Sequence, residues 1–116
     1  MRNLTIKRIY ETASDEDGYR ILVDRIWPRG ISKEKAKLDE WLKDIAPSTE
    51  LRKWFNHEAE KADEFAELYK KELKEKQSEL THIRALCEKQ KVTLLYAAKT
   101  AELSQAIVIE NLLNEK

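Results

Sequence analysis

The chain has 116 residues, 41% hydrophobic and 38% charged, with 22 Lys and Arg balancing 22 Asp and Glu. That length gives a single domain, residues 1–116, able to bury a core, and the zero net charge removes any global argument for nucleic acid or an anionic membrane. A lone Cys87 excludes an internal disulfide and a cysteine-rich metal cage, and no apolar run approaches the roughly 20 residues of a membrane span. With no apolar leader before the first strand-like stretch, the expected location is the cytoplasm.

Residues 4–10 begin with strand alternation that slips by one between Ile6 and Ile9, the pattern of a first strand with a candidate bulge. Residues 11–18 are polar and read as a loop. A loop this short ordinarily joins antiparallel strands, so the direction of strand one stays open. Ile21-Leu22-Val23 lacks polar alternation, as in a strand buried on both faces. Trp27-Pro28 ends that strand, Gly30 permits a turn, and Ser32 is placed to cap a helix.

Leu38, Trp41, Leu42 and Ile45 fall at i, i+3, i+4 and i+7, which predicts one helix over 33–45. Ala46-Pro47-Ser48 ends it and caps a short helix carrying Leu51, Trp54 and Phe55, closed by Asn56-His57. Helices over 58–76 and 78–89 follow. The first is apolar along Ala62, Phe65, Ala66, Tyr69 and Leu73, with its Glu and Lys face left to solvent. Residues 92–98 form a second buried strand, and 102–114 the closing helix.

This order predicts an α/β domain with a small, mainly parallel, Rossmann-like sheet of about three strands packed by about five helices. A crossover through the helices makes the Ile21 and Val92 strands parallel. Asp24, Arg25, Tyr96 and Lys99 then face one crevice at the strand carboxyl ends, where open α/β sheets collect ligands.

The chemistry there points to oxyanions. Arg25 and Arg29 can each offer paired hydrogen bonds to phosphate or carboxylate, and Lys99 adds a point charge. An equally weighted reading has Asp24 pairing with an arginine to pin the loop. Trp27 and Trp54 are either walls of the crevice or core, whereas Trp41 reads as helix core. Asp24 is the carboxylate best placed for general base work, and His57, at a helix end, is either an acid/base group or a cap. Ser48, Ser104 and Cys87 lie in no nucleophile motif, and Cys87 reads as core. There is no Walker A loop, no metal-ligand spacing and nothing that implies a cofactor.

The stretches Ile6-Lys7-Arg8-Ile9-Tyr10, Asp17-Gly18-Tyr19-Arg20, Leu22 to Gly30, Ala46-Pro47-Ser48, Leu51 to His57 and Val92 to Ala98 together resemble the YeaO-like branch of the family called domain of unknown function 488. The resemblance covers nearly the whole chain. It implies a small α/β, Rossmann-like bacterial domain and no established activity. It carries motif membership to Asp24, Arg25, Trp27, Pro28, Arg29, Gly30, Ser48, Arg52, Trp54 and His57. Related members typically open the last helix with His-Asn-His-Ala, where this chain has Leu103-Ser104-Gln105-Ala106. Broader relatives often place cysteines near that helix, and this chain has Tyr96 and no cysteine there. Those departures favour binding, or a changed chemistry.

The resulting expectation is a crevice for a small anionic ligand, bound by Arg25, Arg29, Trp27, Arg52, Trp54, Tyr96 and Lys99. The alternatives are an enzyme using Asp24 or His57 on a small polar substrate, and a protein-interaction module. No nucleic acid or membrane partner is expected, and oligomeric state is open.

Overall fold

The computed structural model describes residues 3–114. Four strands, β1 (Leu4–Arg8), β2 (Tyr19–Leu22), β3 (Glu40–Trp41) and β4 (Val92–Tyr96), form one sheet in the order β1-β4-β2-β3. All the pairings are parallel. Five helices accompany it: α1 (Lys33–Ala36), α2 (Thr49–Phe55), α3 (Ala62–Leu73), α4 (Gln77–Lys89) and α5 (Gln105–Asn114). The α/β class and the parallel pairing of the two buried strands are as the sequence predicts, with one strand more.

The central strands are apolar throughout because both faces are covered. Ile21, Val23, Val92, Leu94 and Tyr96 join the larger core with α2 to α5, while Leu22 and Leu95 point to a smaller core with Ile9 and Ala36. Helices α3, α4 and α5 all pack on the first face. The segment around Trp27, Ile31, Leu38 and Trp41 covers the second.

Strand one is parallel to β4, which settles its direction. Its register runs unbroken from Leu4↔Val92 to Arg8↔Tyr96, so it has no bulge there. The slip in its alternation has another cause. Leu4 and Ile6 face the larger core and Ile9 the smaller one, so each end of the strand buries a different face.

Residues 9–18 therefore carry the chain back to start a second parallel strand, and they are held tightly to do so. Ser14 caps a helical turn at Asp15–Asp17, and the Asp17 carboxylate receives Lys7 at 3.1 Å, the Ser14 N–H at 2.9 Å and the Arg20 guanidinium. Gly18 follows at φ 67°, and a Cβ there would collide with the Lys91 carbonyl.

The predicted helix over 33–45 does not form. It stops at Ala36, Lys37 turns left-handed at φ 46°, and Glu40–Trp41 pairs with β2 instead. The open edge of β2 offered better partners than helix propagation: Asp39 N–H bonds Arg20 C=O and Leu42 N–H bonds Leu22 C=O, each at 2.9 Å. The four apolar residues that imitated one helical face divide between the cores, with Leu38 and Trp41 on the smaller and Leu42 and Ile45 on the larger. Trp41 is thus a half-buried strand residue, edge-on to Trp27 at 5.4 Å, not helix core.

The later helices match their periodicities, with α3 and α5 shorter than predicted and α4 starting one residue earlier. A separate turn at Ala59–Lys61 precedes α3, which closes at Leu73, and another at Ala101–Leu103 precedes α5. Phe65, Tyr69 and Leu73 give α3 its buried stripe, and Leu80, Ile83 and Cys87 do so for α4. No helix among the described residues is long and apolar enough to cross a membrane.

Candidate functional site

At the carboxyl ends of β2 and β4 the ladder stops and a side chain continues it. Val23 N–H bonds Leu95 C=O at 3.1 Å, and one residue on, the Asp24 Oδ2 accepts the Ala97 N–H at 3.1 Å. Gln105, opening α5, donates from Nε2 to the Asp24 Oδ1 and to Val23 C=O at 3.1 Å. Trp41 Nε1–H donates to the Asp24 carbonyl at 2.6 Å. Burial pushes the Asp24 carboxyl above the usual range, against the opposing pull of Gln105, Ala97, Arg52 and His57.

A crevice of about 760 Å³ opens beside this junction. Asp24, Arg25 and Ile26 reach it from beyond β2, Lys99 from beyond β4, Leu103 from the turn before α5, Gln105 from the start of α5, and Arg52, Lys53, Phe55 and His57 from α2 and its end. His57 is delivered by two consecutive left-handed residues, Asn56 at φ 47° and His57 at φ 54°. Its ring lies 6.0 Å from that of Phe55, which stacks on Phe65 at 4.2 Å.

The wall between Ile45 and Ser48 is clamped by Tyr69 and Glu72 of α3 and by Lys76 in the turn between α3 and α4. Tyr69 O–H donates to Ile45 C=O at 2.5 Å, and Lys76 Nζ donates to Ala46 C=O at 2.9 Å. The Glu72 carboxylate accepts the Ser48 N–H at 2.8 Å and the Ser48 O–H at 2.6 Å. Arg25 closes the other side, with Nε to Pro47 C=O at 3.3 Å and a terminal nitrogen to Ala46 C=O at 3.2 Å. Burial raises the Tyr69 hydroxyl well above its ordinary pKa and lowers the Lys76 ammonium, with Arg25 adding to the latter.

Of the candidates read from sequence, Asp24, Arg25, Arg52, His57 and Lys99 line this crevice, and Arg29, Trp27, Trp54 and Tyr96 do not. Arg29 is exposed, and its carbonyl accepts the Tyr10 hydroxyl at 2.7 Å. Trp27 lies in the smaller core and donates to Ile31 C=O at 2.9 Å. Trp54 sits on the surface under the Lys61 ammonium, 5.1 Å from the ring centroid. Tyr96 is buried in the larger core, where burial raises its hydroxyl.

Gln105, Glu72 and Lys76 were not foreseen. The spacing of Glu72 and Lys76 from Tyr69 was the available signal, hidden within a charged helix face. Nothing local distinguishes Gln105. Among the described residues, no group of three or more His, Cys, Asp or Glu could hold a metal ion.

Comparisons with known proteins agree on one family. The model of the inactive DUF488-N3 subclade matches residues 3–116. The chain is similar to the uncharacterized protein YeaO of Escherichia coli, 48% identical over 107 residues that cover 92% of this chain and 93% of that one. It is also similar to the uncharacterized proteins Rv3073c of Mycobacterium tuberculosis and Mb3100c of Mycobacterium bovis. Each is 43% identical over 109 residues, covering 94% of this chain and 92% of the relative. No solved structure matches it. With these matches spanning nearly its whole length, the chain belongs to the inactive DUF488-N3 subclade of the domain of unknown function 488 family.

Proposed function

We propose that the crevice at the carboxyl ends of β2 and β4 binds a small phosphorylated or carboxylated ligand. The observation that carries this reading is its charge. Arg25, Arg52, Lys53 and Lys99 line it against a single carboxylate, Asp24, in a protein with no net charge. Both Asp24 oxygens are already engaged, by Ala97 and Gln105. The side chains of Arg52, Lys53 and Lys99 make no hydrogen bond among the described residues, so their donors remain for a ligand. Arg25 commits two nitrogens to the Ala46–Pro47 wall, which holds its guanidinium in place. A walled concavity with an excess of positive charge focuses the field on an incoming anion.

An enzyme using Asp24 or His57 is the second reading. It is favoured by the presence of both side chains in the lining and by the raised Asp24 carboxyl. The engagement of both carboxylate oxygens and the description of the subclade as inactive weigh for binding.

A thermal-shift screen with phosphate, sulfate, phosphate esters and carboxylates tests the proposal. At about 100 times Kd a ligand stabilises by roughly 2.7 kcal/mol, a shift of several degrees. The expected hit weakens in Arg52→Gln, which removes a lining cation whose side chain makes no hydrogen bond among the described residues. A hit of equal strength in Arg52→Gln and Lys99→Ala would contradict the proposal.

A further inference from the structure

Building on the anion-binding reading, we infer that the crevice takes an anion with an apolar body, an aryl or short alkyl phosphate or carboxylate, in preference to a bare oxyanion or a sugar phosphate. The first reason is size. A crevice of about 760 Å³ is in the range of pockets that enclose whole organic molecules, far beyond one tetrahedral anion.

The second is what the lining lacks. It holds no Ser, Thr or Tyr, and apart from its ionic side chains and His57 its polar side chains are Asn56 and Gln105, the latter already spent on Asp24 and Val23. A sugar body needs a hydroxyl partner for each group it desolvates, and an unpaired one costs about 1–3 kcal/mol. The side chains of Ala46, Pro47, Phe55, Ala97 and Leu103 offer none.

The third is Ile26. It is 62% exposed, between half-buried Arg25 and Trp27, and of the exposed large apolar residues it alone lines this crevice. A ligand body lying on Ile26 removes that surface from water, and the cations of the same lining hold the head group.

Titration calorimetry on the full chain with inorganic phosphate, glycerol phosphate and phenyl phosphate tests this. Phenyl phosphate should bind about tenfold more tightly than glycerol phosphate, a difference of about 1.4 kcal/mol. Ile26→Ser, a surface change that leaves the fold intact, should cut the preference at least threefold. Arg52→Gln should weaken every phosphate that binds. Equal binding of phenyl and glycerol phosphate, or a preference untouched by Ile26→Ser, would overturn the apolar-body inference while leaving the anion site standing. Binding of none of the three would overturn both.

Discussion

The Asp24 carboxylate accepts the backbone N–H of Ala97 at 3.1 Å, so a side chain replaces the next rung where the β2–β4 ladder ends. Gln105 secures the other oxygen, and strand β2, strand β4 and helix α5 meet on one carboxylate. The site's floor is therefore a structural junction as well as part of a charged lining.

That junction should be measurable. Asp24→Ala leaves the Ala97 N–H without its acceptor and the Gln105 amide with the Val23 carbonyl alone, and should cost about 2 kcal/mol in urea unfolding. Gln105→Ala should cost less, because Asp24 keeps Ala97. The double variant should fall short of the sum by about 1 kcal/mol, the signature of a shared interaction. Strict additivity would mean that the two side chains act independently.

Asp17 sets an acid limit. Burial alone would raise its carboxyl, but the Ser14 N–H, Lys7 and Arg20 outweigh burial and hold it below 3.8. A carboxyl depressed in the folded state contributes stability that is complete above pH 3.8 and is lost as pH falls through the lower folded value. Asp17→Asn removes the counter-ion of Arg20, which is 4% exposed and keeps only its two bonds to the Ala36 carbonyl, and should cost on the order of 3 kcal/mol at neutral pH. The gap from the parent should narrow on acidification below pH 3.8 in parallel unfolding curves. A gap independent of pH would show that charge is not the cause.

The hold of α3 on the wall should depend on Glu72. Glu72→Ala removes the acceptor of both the Ser48 N–H and the Ser48 hydroxyl, with an expected loss of about 1–3 kcal/mol in chemical denaturation. Glu67→Ala on the same helix, an exposed position, is the control and should stay within about 0.5 kcal/mol of the parent.

His57 separates stability from binding. Its left-handed backbone costs a non-glycine residue about 1–2 kcal/mol, so His57→Gly should leave thermal stability within about 1 kcal/mol of the parent. The same change should weaken anion binding, because it removes the imidazole from the crevice lining. A large loss of stability would assign His57 to the fold instead.

Much of the framework was legible. Ile21-Leu22-Val23 and the Val92 strand announced their double burial through unbroken apolar runs, and their parallel pairing placed Asp24, Arg25 and Lys99 at one edge. The stretch 33–45 misled because helical spacing and a strand-plus-turn can place the same four apolar residues indoors. Only the vacant edge of β2 decides between them, and that is a tertiary fact. The polar supports were hidden for a similar reason. Glu72 and Lys76 look like any solvated helical pair until the 45–48 segment arrives against them. Gln105 acquires its role only when α5 begins beside Asp24. The motif residues Trp27 and Arg29 lie near the site in sequence, but the turn after Ile26 carries Trp27 into the smaller core and leaves Arg29 at the surface.

The most direct test of an anion site is to locate the ligand. Backbone amide shifts, followed by NMR as phenyl phosphate is added, should move first and furthest at Ala97, Ala98, Lys99, Arg52 and His57, with saturation, and should move far less in Arg52→Gln. Shifts that saturate elsewhere, for instance around Gly30, Lys35 and Lys37 at the second hollow beside Tyr10, or no saturable shifts at all, would contradict a site between β2, β4 and α2.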